Sequence, residues 1–363
     1  MPEPNEQAPR RQVSLRPFVR GALVFVGLSA LALLALAKLL PDFLSAQTLE
    51  LSAPHLAGAI LLLPVLWTVD AWRYLLMGRG VDLSLRFTRG LQLTFLYQTA
   101  SILTPGSAGG QPILIWYLMR KGIAVDKAAA VAVLKPLLGM AVITVCGGLG
   151  LALHPDPPPG VNAILYPGLA LFALVALLLG LLFVRPLVAA RLFVWKLSLL
   201  ARLPLVGPKV AGPKVRDAVD RTVTTIATVQ REGWPFLFAN LLLTVAWYAV
   251  GLTLFGLLVL GVGIERGPAE LALDLGLFRA LAIYSPTPGA AGIAEGGIAW
   301  FFGTGHALAL MAAFRVLLFY VPIAVGLGLI GRELVGGTVA PAPGADAGPA
   351  LPSCEQGTAS GTS

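Results

Sequence analysis

Charge is scarce in this chain. Charged residues fill 12% of its 363 positions, about half their usual share in soluble globular proteins, so an ordinary water-facing surface is excluded. Cysteine is nearly absent. Cys146 falls in an apolar stretch and Cys354 in the C-terminal tail, which leaves neither a disulfide framework nor a cysteine metal site. His55, His154 and His306 lie near the ends of apolar stretches without metal-ligand spacing. No phosphate-binding loop or nucleotide fingerprint is present, so nothing points to ATP-driven work. No cofactor is expected. No catalytic constellation stands out, and the chain is not read as an enzyme.

What is abundant is apolar sequence. Hydrophobic residues make up 57% of the chain and the mean hydropathy is +0.82. Several runs exceed the roughly 20 residues that cross a bilayer core, which predicts a polytopic membrane protein. The N-terminal run is long, and no small-residue cleavage site follows Leu40, so it is read as a span rather than a signal. The net charge is +8, carried by Lys and Arg in short segments flanking the spans, as the positive-inside rule requires. Such residues also attract anionic headgroups. An anionic membrane phospholipid is therefore the expected partner, and nucleic acid is not.

Full spans are predicted at about 18–40, 56–77, 126–153, 161–184, 234–262 and 306–330. Residues 1–17 and 336–363 read as disordered, with both termini cytoplasmic. Residues 185–232 form a basic connector, either an amphipathic helix along the inner surface or a solvated link. Asp70 and Arg73 are one helical turn apart and can pair on one face, which predicts a structural ion pair with Arg73 near the inner interface.

Two hydrophobic segments are interrupted by the same pattern, Thr-Pro-Gly-x-Ala-Gly. The copies are Thr104-Pro105-Gly106-Ser107-Ala108-Gly109 and Thr287-Pro288-Gly289-Ala290-Ala291-Gly292, 183 positions apart. Proline and glycine make a poor helix interior, and each flanking arm is too short to span. Each segment therefore reads as a broken, re-entrant hairpin, with a kinked full span as the alternative. Counting spans puts the first hairpin's start on the cytoplasmic side and the second's on the outer side. The arrangement is then a pair of inverted repeats, at about 91–153 and 271–331. Matched breaks of this kind mark transport sites between repeats.

Each repeat continues into a span with a cation, Lys135 in the first and Arg315 in the second. Glu295 follows the second break. Intramembrane charges face partners or cavities. Glu295 and Arg315 therefore read either as headgroup contacts or as an ion pair locking the hairpin. Lys135 has no acidic partner in its own repeat, which suits an anionic ligand. Thr104, Gly106, Gly109, Gly110, Thr287, Gly289 and Gly292 lie at the starts of half-helices, where exposed N–H groups favour a negative group. The glycines equally permit close helix packing.

Residues 284–296, Tyr-Ser-Pro-Thr-Pro-Gly-Ala-Ala-Gly-Ile-Ala-Glu-Gly, followed by Arg315, resemble the signature of flippase-like membrane proteins. That family is related to the transmembrane half of lysylphosphatidylglycerol synthase. Residues 104–110 resemble its first motif, and the resemblance runs from about Gly21 to Gly331. It implies movement of a phospholipid between leaflets of the cytoplasmic membrane, with Glu295 and Arg315 at characteristic positions. Only 32 residues follow Gly331, so no aminoacyl-transferase half is expected. Gln111-Pro112 stands where relatives commonly carry charge, so the substrate is expected to differ. The expectation is an all-α bundle of about six spans and two opposed re-entrant hairpins that translocates a phospholipid or lipid-linked substrate. Its alternatives are a membrane-embedded headgroup transferase and an accessory subunit of an envelope-lipid enzyme. A second copy of the chain or a separate lipid-synthesising enzyme fits as a protein partner.

Overall fold

The computed structural model describes residues 16–39, 50–153, 233–283, 285–303 and 307–335, with isolated positions between 166 and 177. The predicted span at 161–184 lies largely outside the described residues. The connector at 185–232 and both predicted disordered ends lie outside them too, save for residues 16 and 17. The described elements are helical. They run α1 (Arg16–Leu39), α2 (Ala53–Arg79), α3 (Phe87–Ile102), α4 (Gly110–Arg120), α5 (Val125–Leu153), α6 (Gly233–Gly261), α7 (Pro268–Ile283), α8 (Ile293–Phe302), α9 (Ala307–Arg315) and α10 (Val321–Val335). Alpha9 and α10 are joined by a π-helical turn at Val316–Tyr320. Among the described residues, five helices are long and apolar enough to cross a membrane. They are α1, α2, α5, α6 and the continuous rod from α9 to α10.

The two motif copies end helices as their residue types require. Proline opens a single 3-10 turn at Pro105–Ser107 and again at Pro288–Ala290. Gly106 has φ 57° and ψ 25°, and Gly289 has φ 56° and ψ 24°. The next residue, Ser107 or Ala290, is also left-handed, with φ 56° in both cases. Left-handed backbone costs a non-glycine residue about 1–2 kcal/mol, so the glycine is the cheap half of this turn and Ser107 or Ala290 the strained half. The shared Thr-Pro-Gly has produced the same turn, after which the copies diverge: Gly109 has φ −79° and Gly292 φ 87°.

After each break the chain folds back on itself. Alpha3 packs on α4, and α7 packs on α8. These arms hold 16, 11, 16 and 10 residues. At 1.5 Å per residue they are about 15–24 Å long, each short of the roughly 30 Å apolar core of a bilayer. The packing then crosses over. Alpha3 of the first hairpin lies on α10, and α7 of the second lies on α5, while α2 packs on α6. The α3–α10 crossing is close: a Cβ on Gly326 would stand 1.9 Å from Thr99 Oγ1. The Thr99 hydroxyl donates to the Pro322 carbonyl at 2.9 Å.

The core separates accordingly. One cluster joins α6, α7, α8 and α9 through Phe255, Phe278, Phe302 and Phe314. A second joins α2, α3, α4 and α5 through Tyr74, Leu93, Leu114 and Val131. Leu23, Leu31, Leu61, Phe238 and Leu242 are exposed on the outside, as suits helices whose surroundings are lipid rather than water.

Candidate functional site

The two breaks touch each other, and α1 and α3 also press on the second break; the second is largely buried, whereas residues 105–108 of the first are exposed. Phe25 of α1 is fully buried there.

The second break is tied down by an ion pair. Arg315 ends α9 immediately before the π turn. Its Nε donates to Glu295 Oε1 at 2.9 Å, and its Nη2 donates to the same oxygen. Its Nη1 donates to the Gly289 carbonyl at 2.7 Å. Glu295 Oε2 accepts the Gly292 N–H at 2.7 Å. Gly292 is the N-cap of α8 and Glu295 its third residue, so the carboxylate also meets the positive end of the helix dipole. The guanidinium lies 4.5 Å from the Phe319 ring centre and 5.2 Å from that of Phe25. Both charged side chains are nearly sealed, at 5% and 2% exposure. In this arrangement Arg315 and Glu295 saturate each other, and a headgroup phosphate would have to displace the carboxylate to reach the guanidinium.

The first break is tied differently. Thr104 Oγ1 donates to the Ala100 carbonyl at 2.7 Å and accepts the Gly109 N–H at 2.8 Å. Gly109 and Gly292 are equivalent positions. The amide that Glu295 receives in the second repeat is received in the first by a threonine hydroxyl. Thr287 instead donates to the Ala291 carbonyl at 2.7 Å. These contacts correct one expectation: the Gly109 and Gly292 amides are spent on the protein and are not free for a phosphate. Gly110 is buried at the start of α4, and Gly106 is exposed. Gly289 contributes its carbonyl, an acceptor, to the Arg315 contact.

Lys135 requires a second correction. Sequence spacing leaves it without an acid, yet its Nζ lies 2.7 Å from Asp70 Oδ2. The partner comes from α2, 65 residues earlier, outside the repeat in which an acid was sought. Asp70 Oδ1 accepts from Arg73 Nη1 at 2.9 Å. Asp70, Arg73 and Lys135 thus form one buried triad, each at most 4% exposed. Arg73 is buried, and its Nε donates to Thr244 Oγ1 at 3.2 Å. The Lys135 ammonium sits 3.8 Å from the Tyr74 ring centre and 4.7 Å from that of Tyr97, contacts that favour a desolvated cation. The two repeat cations are therefore not equivalent: Arg315 closes its own hairpin, and Lys135 reaches α2 instead.

A third cation escaped the sequence reading. Arg279 lies in α7, inside an apolar run. Its guanidinium carbon is 5.7 Å from the Trp247 ring centre, and that of Arg73 is 5.3 Å from the same ring. The usable signal was the one that singled out Lys135 and Arg315, a lone cation within an apolar segment. Nearer the ends of the bundle, ion pairs fasten each hairpin. Lys121 pairs with Glu333 at 2.8 Å. Arg266 pairs with Glu270 at 3.1 Å and with Asp274, and donates to the Phe301 carbonyl at 3.2 Å. Among the described residues no His, Cys, Asp and Glu cluster could hold a metal ion, and Tyr284 of the quoted signature lies outside them.

The family model described as the lysylphosphatidylglycerol synthase TM region matches residues 19–326, which include both breaks, the triad and the Glu295–Arg315 pair. No curated protein and no solved structure matches the chain. The chain is a multi-pass membrane protein and belongs to the family of the lysylphosphatidylglycerol synthase transmembrane region.

Proposed function

We propose that this protein is a lipid flippase of the cytoplasmic membrane. It carries a phospholipid, preferentially an anionic one, or a lipid-linked substrate between leaflets, with both termini cytoplasmic. It works by alternating access around two re-entrant hairpins of opposite topology. The observation that carries this reading is the contact between the two broken turns, the second largely buried and the first open. Irregular backbone at membrane depth is tolerated only where it is buried in protein or lines a cavity. Transporters use such paired breaks to build a midplane site between inverted repeats. The crossed packing supports the same reading: each hairpin's first arm rests on the span that follows the other hairpin, as a two-fold axis in the membrane plane requires.

The Glu295–Arg315 pair then acts as the latch of the second hairpin. It holds one arm of that hairpin against the last span while closed, and opens as the lipid passes. Thr104 and Gly109 hold the first hairpin by a weaker, uncharged contact, so the two halves open at different free-energy cost. Of the substrate contacts expected from sequence, Gly106 is already open, and Thr287 and Gly110 become more so when the turns separate. The chain performs no covalent step in this scheme.

The test is lipid movement in proteoliposomes containing fluorescent phospholipids. Wild-type protein should equilibrate anionic lipids between leaflets faster than empty vesicles, with no new lipid species by mass spectrometry. Movement no faster than in empty vesicles, across several anionic and polyprenyl lipids, sinks the proposal.

A further inference from the structure

Among the described residues, the buried and half-buried charges around Trp247 do not balance. Asp70 is the single carboxylate in contact with Arg73 and Lys135, and Arg73 shares the Trp247 ring with Arg279. Arg279 has no hydrogen bond or carboxylate partner among the described residues. Among the described residues, one acid thus stands against three cations within touching side chains. An uncompensated charge in a membrane-spanning core is expensive and marks a functional site, and a guanidinium brings five donors and no acceptor.

Arg279 also faces space. A cavity of about 30 Å³ is lined by Leu66, Trp247, Tyr248, Phe278, Arg279 and Phe314. That is room for roughly two waters, enough for the oxygens of one small anionic group but not for a whole headgroup. A second observation points the same way. The Trp247 indole N–H lies in this wall, is buried, and has no partner. Buried polar groups normally find one, so this donor and the Arg279 guanidinium are two unspent donors beside one cavity. The cations expected to meet substrate from sequence, Lys135 and Arg315, are both engaged by carboxylates.

We propose that Arg279 and Trp247 form a half-buried anion site, with Arg73 adding field from behind, that takes the phosphate group of an anionic lipid or a free phosphate. The site lies between α2, α6, α7 and the last span, apart from the meeting of the two breaks. It names the group through which an anionic substrate is held, and to that extent it rests on the flippase reading. Planar guanidinium geometry suits phosphate oxygens, and the indole N–H supplies the remaining donor. The aromatic and aliphatic walls leave the apolar parts of the ligand in lipid-like surroundings.

The experiment is equilibrium binding to the full chain purified in a neutral detergent. Phosphatidylglycerol, phosphatidylcholine and inorganic phosphate serve as separate probes, read by native mass spectrometry and thermal melting. Wild-type protein should retain phosphatidylglycerol over phosphatidylcholine. Arg279→Gln should weaken phosphatidylglycerol by about tenfold or more, the share of one charge-assisted hydrogen bond, while Arg279→Lys keeps part of it. Trp247→Phe keeps the ring and removes only the donor. It should weaken binding by a smaller factor, and it provides a second reading if Arg279→Gln does not fold. Protection by inorganic phosphate equal to that by phosphatidylglycerol identifies a small anion as the occupant, and protection by the lipid alone identifies a headgroup. Unchanged affinity in folded Arg279→Gln, or in Trp247→Phe where that is the variant in hand, overturns the site, as does equal retention of the two lipids by wild type. Binding and transport fail separately. Arg279-dependent binding without lipid movement would remove the flippase reading and keep the site. Lipid movement indifferent to Arg279 would do the reverse.

Discussion

A charged residue inside an apolar bundle is defined by what answers it. Asp70 answers two cations at once, so Asp70→Asn leaves Arg73 and Lys135 both uncompensated. Breaking a buried ion pair from one side costs about 3–5 kcal/mol, and Asp70→Asn should lie at or above the top of that range. Lys135→Met removes one cation and leaves Asp70 paired with Arg73, so it should cost clearly less. Thermal melting in detergent orders the two, and Lys135→Met melting lower would contradict the triad. The Glu295–Arg315 pair gives a different forecast. Glu295→Gln strands the guanidinium and should lower stability by about 3–5 kcal/mol. The double change Glu295→Leu with Arg315→Met should recover much of that, because apolar replacements for a buried pair are often neutral. It should still move no lipid, since no latch remains. A stable double variant with wild-type lipid movement would refute the latch.

At the scale of elements, much of the arrangement was legible. Pro105 and Pro288, each followed by glycine, open the turn after a helix end, whereas Pro64 and Pro136 sit inside α2 and α5; apolar runs set the lengths of α1, α2, α5 and α6 to within a few residues of expectation. The shared left-handed turn at Gly106 and Gly289 follows from shared residues. What the residues next to each turn meet was not legible. Gly106 faces open space, whereas a Cβ on Gly289 would stand 2.4 Å from the Phe25 ring, and Phe25 lies more than 260 residues away in sequence. Gly106→Ala should therefore cost about 1–2 kcal/mol from backbone strain alone, and Gly289→Ala distinctly more. Pairing Gly289→Ala with Phe25→Leu should return part of the difference, and melting temperatures would check the order. The asymmetry of the two repeats has the same origin. Thr104 and Glu295 capture equivalent amides with different chemistry, and Lys135 finds its acid in α2. No periodicity within a repeat encodes a contact made outside it.

At the scale of the molecule, the proposed opposite topology of the hairpins makes a directional forecast. Ala124 and Ala269 are exposed, one just after the first hairpin and one at the start of the second. In a chain freed of Cys146 and Cys354, Ala124→Cys should react with an impermeant maleimide only from the cytoplasmic face, and Ala269→Cys only from the outer face. Labelling of both from one side would rule out inversion. The charge imbalance was within reach of the sequence in part, because Arg279 sits alone in an apolar run. That Arg279 and Arg73 share one indole ring required the folded bundle.

The π turn between α9 and α10 holds one residue more than an α-helical turn would. Absorbing that residue into regular helix would rotate α10 against α9 by about 100° and advance it about 1.5 Å. Arg315, at one end of the turn, grips the second hairpin. Gly326, beyond the other end, is pressed into α3 of the first. Through the last span, then, a single slipped residue would turn one hairpin relative to the other as a geared shaft does, with neither arm unfolding.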